Sequence, residues 1–220
     1  MSESARQGPR HAVVIGRSAV AAAVAEALRG EGTEVVAVPE TAALGAGDPG
    51  EAVDLVVFAP YTPGSVEARP VVDLSPAEWD RLAEEPVRDG LAAFQYAHPR
   101  LKAAGGRFVL AVPSVAIEGG SGLVPLATAA EALRALGKSA ARRWARDGVS
   151  VHLLTPTVFA LDPAAEALRG TDVDRSEAAL GADSMSPEAV ADVVLLLCSP
   201  RARHLTGSTF ALDGGALMVP

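Results

Sequence analysis

Apolar and polar residues come in blocks along this chain, and the period within the blocks alternates between two values. Short apolar runs at His11–Ile15, Glu34–Val38, Asp54–Ala59, Phe108–Val112 and Val149–Leu154 read as buried strands. Between them apolar residues recur at helical spacing. Ser18 can cap a helix through Ala19–Leu28 that stops at Gly30. Ser75-Pro76-Ala77-Glu78 is a capping box with proline at the first helical position, and it opens a helix carrying Trp79, Leu82, Leu91, Phe94 and Leu101. From Thr128 onward Ala129, Leu133, Leu136, Ala140 and Trp144 form one stripe, with Arg134, Lys138, Arg142 and Arg146 on other faces. Ser186-Pro187-Glu188 opens a last helix, apolar through Val190, Val193, Val194 and Leu197, and the mixed stretch Thr157–Met185 reads as short mobile helices over the site. Strands alternating with helices predict an α/β domain with a parallel sheet.

Composition bounds this picture. A length of 220 residues, 49% hydrophobic, with a mean hydropathy of +0.24, suits one compact domain with a large core. No linker, internal repeat or low-complexity segment divides it. Met1–Arg10 is polar and reads as a loose tail, leaving residues 11–220 as the domain. With 19 basic against 27 acidic residues the formal charge is -8, which offers no overall footprint for nucleic acid. The absence of an apolar leader or a run of membrane-spanning length predicts neither signal peptide nor anchor, and hence a cytoplasmic location. Cys198, the single cysteine, excludes an intrachain disulfide and lies beside Leu195–Leu197, the setting of a buried, inert thiol.

Candidate chemistry is sparse. His11, His98, His152 and His204 are far apart in sequence, none with a cysteine or carboxylate at ligand spacing, so no metal site is expected. Ser114 begins the loop after the Phe108–Val112 strand, and without a base it is an unactivated hydroxyl. Tyr61 and Tyr96 are candidate acids that nothing in the sequence places near Ser114. Glu118 and Asp183 read as solvated carboxylates, and Glu131 as an ion-pair partner of Arg134 on its own helix.

One segment is far more specific. His204-Leu205-Thr206-Gly207-Ser208-Thr209-Phe210-Ala211-Leu212-Asp213-Gly214-Gly215 closely resembles the closing Thr-Gly-x-x-x-x-x-Asp-Gly-Gly of the short-chain dehydrogenase/reductase family, and Asp54-Leu55-Val56-Val57 resembles that family's lead-in to its fourth strand. The resemblance runs from His11 to Met218. It implies a doubly wound, Rossmann-like parallel sheet. Only Pro39–Val53 separates the second strand from the Asp54 run. These fifteen residues are too few for a helix of about eleven residues, a strand of about five and their turns. The family's third strand is therefore expected to be missing.

The family's functional residues are replaced. Its serine is matched by Ser114, but its Tyr-x-x-x-Lys falls on Ala127-Thr128-Ala129-Ala130-Glu131, which removes the proton donor and reverses the lysine's charge. Pro86 stands where the family places the asparagine of its proton relay, and can impose the same helix kink by lacking an N–H. Of the glycine-rich Thr-Gly-x-x-x-Gly-x-Gly turn only Gly16 survives, with Ile15, Val20 and Ala22 at the other places. Pro39 occupies the position that often reads the adenosine ribose. These losses predict that NAD(P) binding and catalysis are gone.

What the resemblance leaves is folding and assembly. It implies association with an active reductase homologue or with itself, through the 128–146 helix with its alanine-rich face and the 204–218 closing segment, in a complex acting on acyl thioesters or polyketide-like carbonyls. Two other readings stay open at this stage. The emptied cleft could host a non-redox reaction such as elimination, isomerisation or cyclisation, with Tyr61 and Phe58 lining it, or it could bind a small regulatory ligand.

Overall fold

The apolar runs form the strands of one parallel sheet, and the amphipathic segments cover both of its faces. A computed structural model of the chain describes residues 8–45, 52–171, 179–181 and 186–217. The strands are β1 (His11–Ile15), β2 (Glu34–Val38), β3 (Leu55–Phe58), β4 (Arg107–Ala111), β5 (Ser150–Pro156) and β6 (Thr209–Leu212), in the order β2-β1-β3-β4-β5-β6. Every neighbouring pair is parallel, with Val13 opposite both Val36 and Val56. The chain winds outward from β1 in both directions, so the crevice of a doubly wound sheet opens between the carboxyl ends of β1 and β3. Among the described residues no strand lies between β2 and β3, in agreement with the short Pro39–Val53 connection.

Two apolar layers hold the sheet. Helix α1 (Ala19–Gly30) and α6 (Pro187–Leu197) press Val20, Val24, Leu28, Val190 and Val194 onto one face, and Cys198 is buried there. The other face carries α3 (Glu85–Ala104) and α5 (Val124–Trp144), where Phe94, Phe108 and Trp144 meet edge to face or tilted with centroids 4.5 to 5.8 Å apart. Geometry of this kind adds to the burial of three large rings. Asp147, at the turn after α5, binds His98 and Lys102 of α3, each at 3.0 Å, and so ties the two helices together.

Local sequence accounts for the element ends. The Ser18 hydroxyl accepts the Ala21 N–H at 3.1 Å, as its capping role predicts. Ser75 and Glu78 make both halves of the capping box at α2 (Pro76–Trp79). A π turn at Asp80–Glu84 joins α2 to α3 immediately before Pro86, which has no N–H to continue the ladder. The regular α-helical hydrogen bonding is thus interrupted just before Pro86, the position where the kink was expected. Helix α5 starts at Val124, four residues before the periodic stripe, with Pro125 in its first turn.

Several expectations need correction or fall outside the described residues. The alanines chosen as an association face split between two sides of α5: Ala129, Ala130, Ala140 and Ala141 are in the core, whereas Ala135 is exposed. Leu91, assigned to the buried stripe of α3, is 49% exposed. Most of the predicted tail (1–7), part of the 157–185 segment (172–178 and 182–185, which includes Asp183), and residues 218–220 are outside the description. The described part of that segment forms two short 3-10 turns, Val158–Ala160 and Pro163–Leu168.

Candidate functional site

The crevice between β1 and β3 begins with Gly16. Its φ is +143°, and a Cβ there would lie 2.1 Å from the Ala59 carbonyl oxygen, so glycine is required by the close approach of the β1 and β3 ends. Ser18 reinforces that approach by donating its hydroxyl to the same carbonyl at 3.0 Å. The next residues open α1, whose N-terminus would ordinarily offer free N–H groups to an anion. Here Ala19 N–H donates to the Leu161 carbonyl at 2.8 Å and Ala21 N–H to Ser18 Oγ. The chain's own β5-to-α6 connection thus occupies the helix end. Val20 is fully buried in the core below it, and Ala22 is exposed.

Beside this turn a cavity of about 360 Å³ runs from Ile15 and Gly16 past Pro39 and Phe58 to Tyr61 and Pro86. Its charged lining is Glu40, Glu85 and Asp89 against Arg17 and Arg81. Arg17 is spent on Glu40, Arg81 donates to the Pro63 carbonyl at 2.9 Å, and Thr41 donates to Asp89 at 2.7 Å. A dinucleotide diphosphate would meet one more carboxylate than guanidinium here, with both guanidinium groups already engaged. The residues present do not fit that group.

Ser114, 5% exposed, sits just after β4, its N–H donating to the Pro156 carbonyl at 2.7 Å. Its hydroxyl makes no capping bond to the short helix α4 (Val115–Glu118) that follows. Ala127 lies half-buried against a third apolar cluster of Val66, Val115, Leu123, Val158, Ala165 and Leu168. All six come from segments that follow the carboxyl ends of β3, β4 and β5. One hollow among the described residues, lined by Pro60, Tyr61, Leu82, Pro86, Leu126 and Leu133 among others, is about 20 Å³. That is room for little more than a water molecule. Glu131 points away from it and pairs with Arg134 at 2.8 Å, which in turn donates to Thr209 Oγ1 of β6 at 3.3 Å.

Tyr61 is the one phenol that reaches both cavities. Burial, followed by the Asp162 carboxylate that accepts its hydroxyl, pushes its pKa up to about 12. At neutral pH it is a held, neutral group and a reluctant proton donor. Tyr96 is elsewhere, stacked under the Arg100 guanidinium at 3.9 Å. Glu118 is exposed. Burial likewise raises Cys198 to about 11, so its thiol is inert at neutral pH. Among the described residues no cluster of three or more His, Cys, Asp or Glu is placed to hold a metal.

Comparison with known proteins decides the family. The profile described as "Enoyl-(Acyl carrier protein) reductase" matches residues 46–216. The chain belongs to the short-chain dehydrogenase/reductase family. Among curated relatives, the Arabidopsis thaliana tropinone reductase homologue At1g07440 is 31% identical over 69% of this chain and 58% of its own length. The Nepeta racemosa (+)-cis,trans-nepetalactol synthase NEPS1 is 27% identical over 71% of this chain and 60% of its own. The chain spans less than two thirds of these relatives' length. A solved structure, the TT0495 protein of Thermus thermophilus, superposes with a TM-score of 0.78 at 25% identity, covering 94% of this chain and 98% of that one.

Within this short-chain dehydrogenase/reductase fold the closing motif has a structural explanation. Asp213 is buried and accepts the N–H groups of Gly215 and Leu217, each at 3.0 Å, while Gly214 and Gly215 both take positive φ. The motif is a turn that locks the end of β6. The four positions that the resemblance singles out, Ser114, Ala127, Pro86 and Gly16, all lie toward the carboxyl edge of the sheet. Sequence reading missed Leu161 and Asp162. The Asp162-Pro163 pair, a cap followed by proline, marks a helical start at that place, but no sequence pattern marks a backbone carbonyl that plugs a distant helix.

Proposed function

We propose that this chain is a non-catalytic member of its family that assembles with an active reductase homologue and binds neither NAD nor NADP. The observation that carries this reading is the packing of Ala127 into the Val115–Leu123–Leu168 cluster, where the family's tyrosine would stand. A site built to reduce a carbonyl needs a proton donor beside open space for substrate and nicotinamide. Here a methyl group stands in the donor's place, and the described hollow beside Leu126 and Ala129 is about 20 Å³. The Ala19–Leu161 hydrogen bond and the carboxylate-rich lining of the larger cavity support the loss of the dinucleotide. The intact sheet and the Asp213 turn support retention of the scaffold and of its association surfaces.

The association surface combines the outward sides of α3 and α5 with the closing segment. Leu91 on α3 and Ala135 on α5 are exposed there, and Leu196 and Leu205, both exposed, flank the closing strand. The partner acts on acyl thioesters or polyketide-like carbonyls, a class inferred from the family description alone, and the complex is cytoplasmic. Co-expression with an active homologue tests the reading: the two chains should co-purify, and activity should depend only on the partner's tyrosine. A stable monomer that ignores every such homologue contradicts it.

A second reading has one observation in its favour. The cavity of about 360 Å³ with Tyr61, Glu85 and Asp89 on its wall has the size of a small-ligand site, and a relative is named a nepetalactol synthase. Non-redox chemistry there, or a regulatory ligand, would need Tyr61 or the carboxylates free to act. Tyr61 is instead held neutral by burial and by its bond to Asp162, and Asp89 accepts from Thr41.

A further inference from the structure

At the opposite edge of the sheet, where β4 and β5 begin, lies a cavity of about 510 Å³ lined by Gly105, Arg107, Ser150, His204 and Thr206 among others. Register places Arg107 beside Ser150, and strand alternation puts His152 on the same face one step further on. The Ser150 hydroxyl and His152 Nε2 are 3.2 Å apart. The third wall is the closing segment, fixed by the Thr206 hydroxyl, which accepts the Val151 N–H at 3.0 Å.

Three features single out this cavity in a chain of net charge -8. Among the described residues no carboxylate lines it. Arg107 makes no ion pair or side-chain hydrogen bond among the described residues, and its Nε is buried without a partner. His152 is fully buried beside it, its ring held between the Ser150 hydroxyl and the Leu205 backbone. Two acids at this edge of the sheet are committed elsewhere: Asp54, whose backbone carbonyl accepts the Arg107 N–H, takes the Arg10 and His11 N–H groups on its carboxylate, and Asp147 binds His98, Lys102 and Arg143. A guanidinium presents donors in a planar fork that matches a carboxylate or phosphate oxygen pair, and buried donors of this kind are normally satisfied.

We propose that this cavity binds a small oxyanion, a carboxylate or a phosphate, through the guanidinium of Arg107. The Thr206 and Ser150 hydroxyls border the anion's seat, and the site is separated from the Ser114 edge by the length of the sheet. Occupancy would also stiffen the junction between the closing segment and β5, because Arg107 and Thr206 line the same space.

The test is a titration of the intact protein with sodium phosphate and, separately, sodium succinate, at ionic strength held constant with sodium chloride. The readouts are the NMR resonance of the Arg107 Nε–H and the melting temperature. One of the two anions should shift the resonance saturably with a Kd of about 1 mM or tighter, and the arm that succeeds identifies the anion. Arg107→Gln should weaken that binding at least tenfold as read by melting temperature, with its circular dichroism unchanged. Failure of the wild-type resonance to move with either anion overturns the proposal, whatever the variant does. So does equal stabilisation of the wild type and a folded Arg107→Gln.

Discussion

The first N–H of α1, that of Ala19, donates to the carbonyl of Leu161 at 2.8 Å. Two segments about 140 residues apart in sequence are thereby closed over the crevice where a doubly wound sheet takes its ligand. The bond removes a donor from the helix end and brings the Asp162 carboxylate to Tyr61. Both consequences follow from one loop, and the first supports the proposed loss of dinucleotide binding.

Packing at the strand ends is enough to require Gly16. Gly16→Ala places a Cβ against the Ala59 carbonyl in a backbone region hostile to side chains, so it should destabilise the fold by about 3 kcal/mol or more. Urea unfolding monitored by circular dichroism measures this. A loss near zero would mean that the strand ends are free to separate.

Restoring the dyad should not restore activity. Ala127→Tyr with Glu131→Lys inserts a phenol into the apolar cluster over the hollow and breaks the Glu131–Arg134 pair. Overpacking of this kind costs about 1–3 kcal/mol. The double variant should melt lower and show no NADPH-dependent ketone reduction. Detectable reduction would show that the crevice still holds a hydride donor.

Much of this architecture is legible in the sequence, and the exceptions have physical causes. The bounds of β1 and β2, the start of α1 and the caps at Ser18 and Ser75 match their prediction because short apolar runs and polar caps there act locally. That no strand lies between β2 and β3 among the described residues agrees with an expectation drawn from chain length alone. Helix α5 was read four residues short because Pro125 looks like a breaker until it is placed in a first turn, where its missing N–H costs nothing. The alanine stripe misled for another reason: alanine is equally at home facing a sheet or another subunit, so periodicity cannot say which of Ala129 and Ala135 is outside. Arg107 was left out of its strand because it is polar, which hid the cavity it lines.

That distinction changes the mutations that test assembly. Ala129→Arg and Ala140→Arg put an unpaired charge into the core and should unfold the chain. Ala135→Arg and Leu91→Asp change exposed positions, and should dissociate the oligomer while leaving circular dichroism unchanged. Sedimentation velocity distinguishes the two outcomes. Ser114→Ala should alter neither mass nor fold.

His152 makes a prediction about pH. Burial, and then the nearby Arg107 charge, lower its pKa from 6.5 to about 4 in the folded chain. As pH falls below about 6.5 the unfolded chain takes up a proton that the native chain refuses, so stability falls until about pH 4, where both forms are protonated. The loss should reach up to about 3 kcal/mol across that window. His152→Leu should flatten it, as read from urea midpoints at both ends. A wild type as stable at pH 4.5 as at pH 7 would contradict the buried, neutral ring.

The most direct measurement is isothermal titration calorimetry of the purified protein with NADPH and with NADH. The account predicts no saturable heat with either dinucleotide at concentrations up to about 1 mM. Binding of either one with a micromolar Kd would contradict it, since the Leu161 carbonyl would then have to leave Ala19 and a cofactor would occupy the crevice.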